Sequence, residues 1–194
     1  AAGCHYRLYS PVTGVLMDGP RLRGVVCERK GHRAEFTAPV VIDATGDGDV
    51  CRLAGVPMVE GREEDGVHMP VSLVFALGNV EVDRFFEFFT RERDRFNAAI
   101  DELAAAGGLR PPWFSFHRTS LPGVLGFNHG GCSLQGNIDG TDPADMTRVE
   151  RLGIQLAVDF IALAHRVRFP GMERCHLMRL GAQAAVRDTR RIVG

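Results

Sequence analysis

The chain has 194 residues, which is enough for one ordinary domain or two small ones. Its formal net charge of -1 offers no electrostatic attraction to nucleic acid or to an anionic membrane, and no apolar run approaches the ~20 residues of a membrane span. With 45% hydrophobic and 24% charged residues, the composition predicts a globular protein with a core.

Cysteine usage gives no indication of a disulfide framework or of a zinc site. The five cysteines are odd in number, scattered and never arranged as Cys-x-x-Cys, which predicts reduced thiols in a cytoplasmic compartment. Adjacent cysteine and histidine side chains on a strand point to opposite faces and make poor chelates. We therefore predict no metal site from the available pairs, which are Cys4-His5, His129-x-x-Cys132 and Cys175-His176.

Residues 12–45 predict an antiparallel β-meander. Three apolar runs are separated by Asp-Gly-Pro and Lys-Gly-His-Arg, and such glycine pairs are typical of hairpin turns. The last run, Val40-Val41-Ile42, is continuous rather than alternating, which predicts a strand buried on both faces. A short helix is expected next, ending through Gly55 and Pro57.

The rest of the chain predicts a strand at 68–80, a long amphipathic helix, an irregular stretch at 108–141 and a second long helix. Asp142 is the expected cap of that second helix, Pro143 its first residue, and Pro170-Gly171 its end. The expected apolar stripes are Val82, Phe85, Phe89, Phe96, Ile100 and Leu103 in the first helix, and Met146, Val149, Leu156, Phe160, Leu163 and Val167 in the second.

The stretch Gly-Asp-Gly-Asp-Val-Cys at 46–51 follows a predicted strand and precedes a helix, as the dinucleotide fingerprint G-x-G-x-x-G does. Carboxylates at Asp47 and Asp49 would repel a pyrophosphate, and no acidic residue follows a second strand about 20 residues on. We therefore do not expect the primary nucleotide loop here. Two alternatives stay open: the aspartates cap the helix and solvate the turn, or they bind calcium, although the helix-loop-helix frame of calcium loops is absent.

Three stretches, in order, resemble one family. Val-Val-Ile-Asp-Ala-Thr-Gly-Asp-Gly-Asp (40–49) resembles the Ala-Thr-Gly segment of FAD-dependent oxidoreductases with the two-dinucleotide-binding-domain fold, in particular a bacterial group with this Asp-Gly-Asp continuation. Asn-Ile-Asp-Gly-Thr-Asp-Pro (137–143) is similar to the helix start of that group. Arg-Asp-Thr-Arg-Arg (187–191) is similar to its Arg-Glu-Thr-Arg-Arg signature, with Asp188 in place of Glu.

The resemblance implies an α+β chain that is an internal piece of an α/β flavoprotein. It would lack the N-terminal G-x-G-x-x-G and the C-terminal flavin segment, and those remaining FAD-domain segments would be its partners. The implied division is a part of the FAD-binding domain at 1–66, a substrate cap at 67–180, and the start of the return to the FAD domain at 181–194. Alone, such a chain is expected to bind FAD weakly or not at all.

The cofactor implied is FAD, and the implied contact segment is Ala44, Thr45, Gly46, Asp47, Gly48 and Asp49. Gly46 would allow close backbone approach, because glycine has no Cβ. We hypothesise that Asp47 and Asp49 accept hydrogen bonds from polar parts of the cofactor rather than lying under its phosphates.

The candidate catalytic residues are Arg187, Arg190 and His129. Arg187, Arg190 and Arg191 would share a face if they were helical, and could then grip a substrate carboxylate or the cofactor's phosphates; an ion-pair cluster is the alternative. His129 lies in the glycine-rich stretch and is the candidate general base, ahead of His68 and His117. Ile154 stands where relatives carry arginine, so an ion pair or anion contact made there is lost.

The sequence thus predicts part of an FAD-dependent oxidoreductase that transfers hydride between a small organic substrate and FAD. A non-catalytic cap module that binds a partner without cofactor is the alternative. A metal-binding domain that uses the Asp47 and Asp49 loop is the weaker alternative.

Overall fold

The computed structural model describes residues 3–106, 114–129 and 136–193. The chain forms two compact units, one of residues 1–63 with 190–194 and the other of residues 64–189. Both contain helices and antiparallel sheets, so the chain is α+β, as predicted. The predicted boundaries of the FAD-domain and cap segments concern the complete protein and stay a prediction.

The first unit contains the predicted meander. Strands β1 (Val12–Asp18), β2 (Arg21–Arg29) and β3 (His32–Thr37) form an antiparallel sheet in that order. Its turns contain Gly19 and Gly31, both with positive φ, as tight hairpins require. A short helix α1 (Asp49–Leu53) and a two-stranded sheet of β4 (Met58–Glu60) and β9 (Arg190–Ile192) complete the unit.

The predicted buried strand at Val40-Val41-Ile42 was wrong for this chain. These residues adopt no regular structure, and the side chains of Val40 and Ile42 are 73% and 85% exposed. A strand requires a neighbour to receive its backbone hydrogen bonds, and no strand of the described residues pairs with this segment. Its apolar side chains lie on the surface instead.

The second unit is a four-stranded antiparallel sheet with helices packed on one face. The strands are β5 (Phe75–Gly78), β6 (Phe114–Arg118), β7 (Leu125–His129) and β8 (His176–Leu180), in the spatial order β6-β7-β5-β8. The helices are α2 (Val82–Arg91), α3 (Arg93–Ala105) and α4 (Pro143–Val167). The largest fully buried side chains of this core include Phe85, Phe96, Phe127, Phe160 and Phe169.

Two sequence predictions for this unit need correction. The long helix predicted from Val82 to Leu103 is broken at Glu92, whose φ of -116° and ψ of 41° are not helical. Residues 90–95 are all exposed, so the middle turn lies outside the core that anchors Phe85 and Phe96 on either side of it.

The stretch 108–141, predicted to be irregular, contains β6 and β7. Its glycines and prolines concealed the alternation of Phe114 and Phe116 in β6 and of Leu125, Phe127 and His129 in β7. Residues 107–113 and 130–135, including the double proline and Cys132, lie outside the described residues.

Helix α4 agrees with its prediction. Pro143 is its first residue, and the Asp142 carboxylate accepts a hydrogen bond of 2.9 Å from the backbone nitrogen of Ala144. Four of the six predicted stripe residues are buried, and Gly153 lies so close to the sheet that a Cβ would come within 2.4 Å of Leu73 Cβ. The buried stripe residues are Val149, Leu156, Phe160 and Leu163.

Candidate functional site

Two of the N-terminal backbone N–H groups of α1 donate to the side chains of Thr45 and Asp43. The Asp49 nitrogen donates to Thr45 Oγ1 at 2.7 Å, and the Cys51 nitrogen donates to Asp43 Oδ2 at 2.9 Å. Gly48, the residue before the helix, has a φ of 63° and no side chain that could cap it. An anion would find these two donors occupied by Thr45 and Asp43.

Asp43 also organises the loop that precedes the helix. Its Oδ1 accepts hydrogen bonds from Thr45 N at 3.0 Å and Thr45 Oγ1 at 2.7 Å. Partial burial raises the pKa of this carboxyl, but the donors from Cys51 and Thr45 outweigh it and bring the pKa down to about 2. At neutral pH a full negative charge therefore holds the Ala-Thr-Gly turn against α1.

Asp49 forms an ion pair with Arg190, 141 positions later in the chain. Pairing of β4 with β9 places Arg190 opposite Glu60 and carries its side chain to the glycine loop. The Arg190 side chain is 13% exposed and that of Asp49 is 50% exposed. Among the described residues, one buried side-chain atom lacks a hydrogen-bond partner, and it is Arg190 Nε.

The proposed helical face of three arginines is wrong, because residues 190–192 are a strand. Neighbours on a strand point to opposite sides, and the Arg191 side chain instead donates to the Gly61 carbonyl at 2.9 Å. Arg187 is exposed and belongs to the second unit. Asp188, next to it, has a φ of 54°, which interrupts any helix there. The pairing of Arg190 with Asp49 corresponds to the ion-pair alternative.

The remaining residues of the predicted cofactor segment are accessible. Ala44, Thr45 and Gly46 are exposed, and Asp47 is partly buried. A Cβ placed on Gly46 would meet nothing within 4 Å, so the protein's own packing does not require glycine there. This open space at an exposed glycine is compatible with close approach of a flat cofactor to the backbone.

His129 lies in a different environment from the one expected of a general base. It is the last residue of β7, is fully buried, and its Nε2–H donates to the Leu73 carbonyl at 3.1 Å. Phe75 and Phe127 stand beside the ring, with centroids 6.0 and 5.7 Å away. Burial lowers the pKa of His129 to about 4, against the smaller effect of the Leu73 carbonyl, so the imidazole is neutral at pH 7.

The Asn-Ile-Asp-Gly-Thr-Asp-Pro stretch (137–143) contacts two other segments of the second unit. Asn137 Oδ1 accepts a hydrogen bond from the His68 nitrogen at 2.8 Å, and its Nδ2 donates to the Gly66 carbonyl at 3.0 Å. Its Gly140 is packed so that a Cβ would come within 2.3 Å of Val186 Cγ1. The motif thus ties residues 66–68 and the segment near 186 to the start of α4.

Ile154, at the position where the resemblance implies arginine, is 43% exposed on α4, and Glu150, one turn earlier, accepts a hydrogen bond of 2.6 Å from Ala184 N.

Other chemistry is limited in the part of the chain that the structure describes. No group of three His, Cys, Asp or Glu side chains there is arranged to hold a metal ion. Burial raises the pKa of the Cys175 thiol to about 11, which makes it a poor nucleophile. Within the same residues, no helix combines the length and apolar character needed to cross a membrane.

Sequence reasoning missed the role of Asp43 and the partner of Asp49. Asp43 stands within the motif that carried the resemblance, but its capping of a helix eight residues away requires a turn that the sequence does not display. The Asp49–Arg190 pair joins the Ala-Thr-Gly motif to the Arg-Asp-Thr-Arg-Arg motif. Covariation of the two positions among related sequences is the signal that would reveal such a contact.

A sequence profile of the FAD dependent oxidoreductase family matches residues 1–194, the whole chain. No curated protein and no solved structure matches the chain.

Proposed function

Because the chain belongs to the FAD dependent oxidoreductase family, we propose that the complete protein transfers hydride between a small organic substrate and FAD. The isoalloxazine accepts the hydride when FAD is bound. The first unit of this chain then contributes the Ala-Thr-Gly turn to the cofactor site. The observation that carries the proposal is the network of Asp43, Thr45, Asp49 and Arg190, in which two family motifs meet at an exposed glycine with open space beside it.

The network has a positioning role in this proposal. Asp43 and Thr45 hold the turn against α1 by four hydrogen bonds, and the Asp49–Arg190 pair anchors α1 to strand β9. A turn held in this way presents the backbone of Ala44 and Gly46 to FAD with little ordering cost on binding. Arg190 Nε, buried and without a partner among the described residues, is the polar atom through which a bound group would complete the network.

Val40 and Ile42 indicate what else the site requires. They are exposed apolar residues immediately before the turn. In the proposal, FAD-domain segments of the complete protein pair with residues 40–44, bury these side chains and supply the pyrophosphate contacts. Two of the N-terminal donors of α1, the nitrogens of Asp49 and Cys51, are already bound to Thr45 and Asp43 and are not available for those contacts.

The test is an FAD titration of the 194-residue chain and of the complete gene product, followed by flavin fluorescence and thermal melting together. We expect weak or no binding by the chain and stable binding by the complete protein. A complete gene product that retains no flavin would support the alternative of a cap module without cofactor. Calcium-dependent melting would support the metal-binding alternative.

A glycine substitution makes the test residue-specific. Gly46→Ala should weaken FAD binding by the complete protein without changing the melting temperature of the apoprotein, since its Cβ meets no protein atom within 4 Å. Gly14→Ala in β1 is the matched control, because its Cβ makes an ordinary contact with Val26 at 3.4 Å. If the Gly46→Ala and Gly14→Ala variants bind FAD with equal affinity, Gly46 is not in contact with the cofactor.

A further inference from the structure

Four residues form a line across the outer face of the second unit's sheet. The strand register pairs His117 with Gly126, Gly126 with Ala76, and Ala76 with Arg179. Side chains alternate between the two faces of a strand, and the neighbours Phe75, Leu77, Leu125 and Phe127 are buried in the core. The line therefore lies on the face opposite the helices.

The two middle positions of this line carry almost no side chain. Adjacent strands are about 4.8 Å apart, so the backbones at His117 and Arg179 are separated by roughly 14 Å, with only Gly126 and Ala76 between them. The result is a cavity of about 360 Å³ bounded by the strands. Its volume falls in the range of sites for small organic ligands. Its apolar side-chain lining comes from Val74 and Ala76, because the side chains of Phe75 and Phe127 are buried in the core on the other face.

The protein's own packing does not explain the glycine on this floor. A Cβ on Gly126 would make ordinary contacts with His117 and Thr119, at 3.4 Å or more, and its φ is not positive. At Gly153, by contrast, a Cβ would overlap Leu73 at 2.4 Å. Glycine at 126 is therefore not required by close packing within the sheet. Its missing side chain instead leaves the space above the sheet open.

The charges around the cavity have one sign. Arg179 lines it, and no aspartate or glutamate among the described residues does. Elsewhere in the unit, Arg118 pairs with Asp83 and Arg148 with Asp145, whereas no described acidic side chain forms an ion pair with Arg179. A guanidinium beside an apolar floor, with no carboxylate of its own, favours an anionic ligand.

Asn128 gives the cavity a second donor. Its Oδ1 accepts a hydrogen bond of 2.8 Å from the hydroxyl of Ser72, a residue that is itself 9% exposed. That bond holds the amide in place and leaves its NH₂ group as a donor. On the next strand, Ser115 Oγ and His117 Nε2 lie 3.1 Å apart and form the opposite polar edge.

We propose that this cavity binds a small organic carboxylate with an apolar body. The guanidinium of Arg179 holds the carboxylate through two parallel hydrogen bonds, the Asn128 amide donates to it or to a neighbouring oxygen, and the apolar part rests on Gly126 and Ala76. The assignment of this ligand as the substrate rests on the proposed oxidoreductase function. The binding site itself does not.

The test uses hexanoate and its neutral counterpart hexanamide as probes, with ¹H–¹⁵N NMR titration of the 194-residue chain. Hexanoate should shift the amides of Ala76, Gly126, Asn128 and Arg179, and should bind about tenfold or more tightly than hexanamide, because hydrogen bonds between two ionised groups are stronger than those to a neutral amide. Arg179→Gln should abolish that preference, and Arg179→Lys should retain part of it. Arg151→Gln, at an exposed position on α4, is the matched control and should leave it unchanged.

Gly126→Ala tests the shape of the cavity independently of charge. Its methyl group occupies the floor, so both probes should bind more weakly while the melting temperature stays the same. The proposal is overturned if hexanoate and hexanamide bind equally, or if Arg179→Gln and Arg151→Gln behave alike. Because none of these measurements involves flavin, probe binding without FAD binding by the complete protein would refute the proposed function and retain the cavity. FAD binding by the complete protein without a preference of the cavity for hexanoate would refute the cavity proposal and retain the proposed function.

Discussion

The guanidinium of Arg190 pairs with the carboxylate of Asp49 across 141 positions of sequence and joins the last strand of the first unit to the start of α1. Arg190 is largely buried and Asp49 half exposed, so the pair lies between a surface ion pair and a buried one. Its loss would leave a largely buried cation without its counter-charge. The pair is therefore expected to matter for the first unit even in the absence of any cofactor.

Replacing Asp49 by Asn should lower the free energy of unfolding of the chain by about 1–2 kcal/mol. In a cycle with Arg190→Gln, the coupling energy should be about 1 kcal/mol. Urea unfolding of the two single variants and the double variant measures both. The control is Glu35→Gln, whose pair with Arg33 is 62% and 52% exposed and should change stability by no more than about 0.5 kcal/mol. Additive effects of the Asp49 and Arg190 substitutions would contradict the pairing.

Asp43 should titrate well below an ordinary aspartate, with a carboxyl ¹³C NMR midpoint near its pKa of about 2 rather than 3.8. Because the folded pKa is depressed, the stabilisation is complete above pH 3.8 and is lost as the pH falls through about 2. Thr45→Val removes one hydroxyl donor to Asp43 and should raise the midpoint, as well as weaken the start of α1 by about 1 kcal/mol. Thr13→Val, on β1, should leave the midpoint in place.

His129 should make the chain sensitive to mild acid. Its pKa is about 4 in the folded chain against 6.5 ordinarily, so unfolding takes up a proton between these values. Stability is full above pH 6.5 and falls as the pH drops towards 4, by about 3 kcal/mol at ~1.4 kcal/mol per pKa unit. Urea unfolding at a series of pH values measures the slope. His129→Gln should flatten it, and His32→Gln, at the exposed first residue of β3, should not.

Gly153→Ala should destabilise the second unit by about 1–3 kcal/mol, because the new Cβ would lie 2.4 Å from Leu73 Cβ in a packed helix–sheet contact. Thermal melting of the chain measures the loss. Ile154→Ala, one residue along α4 and 43% exposed, is the neighbouring control and should change the melting temperature little. A Gly153→Ala variant that melts with the parent protein would show that α4 can move away from the sheet at no cost.

Local patterns in the sequence were sufficient where one element decides its own structure. The meander follows from the glycine turns between apolar runs, and the start of α4 follows from Asp142 and Pro143. The same local reasoning fails for β6 and β7, where strand alternation lies within glycine- and proline-rich sequence. It also fails at Glu92, because a helical stripe does not reveal where the core stops supporting the helix.

By itself, the sequence determined the family, the α+β class and the position of the Ala-Thr-Gly turn, since motifs, turns and caps depend on residues close together in the chain. Only the tertiary structure decided that Asp43 caps α1, that Arg190 pairs with Asp49, and that His129 is buried. The same holds for the line of small residues beside Arg179. Each of these depends on strand register and side-chain packing between distant segments, and those contacts exist only once the chain has folded.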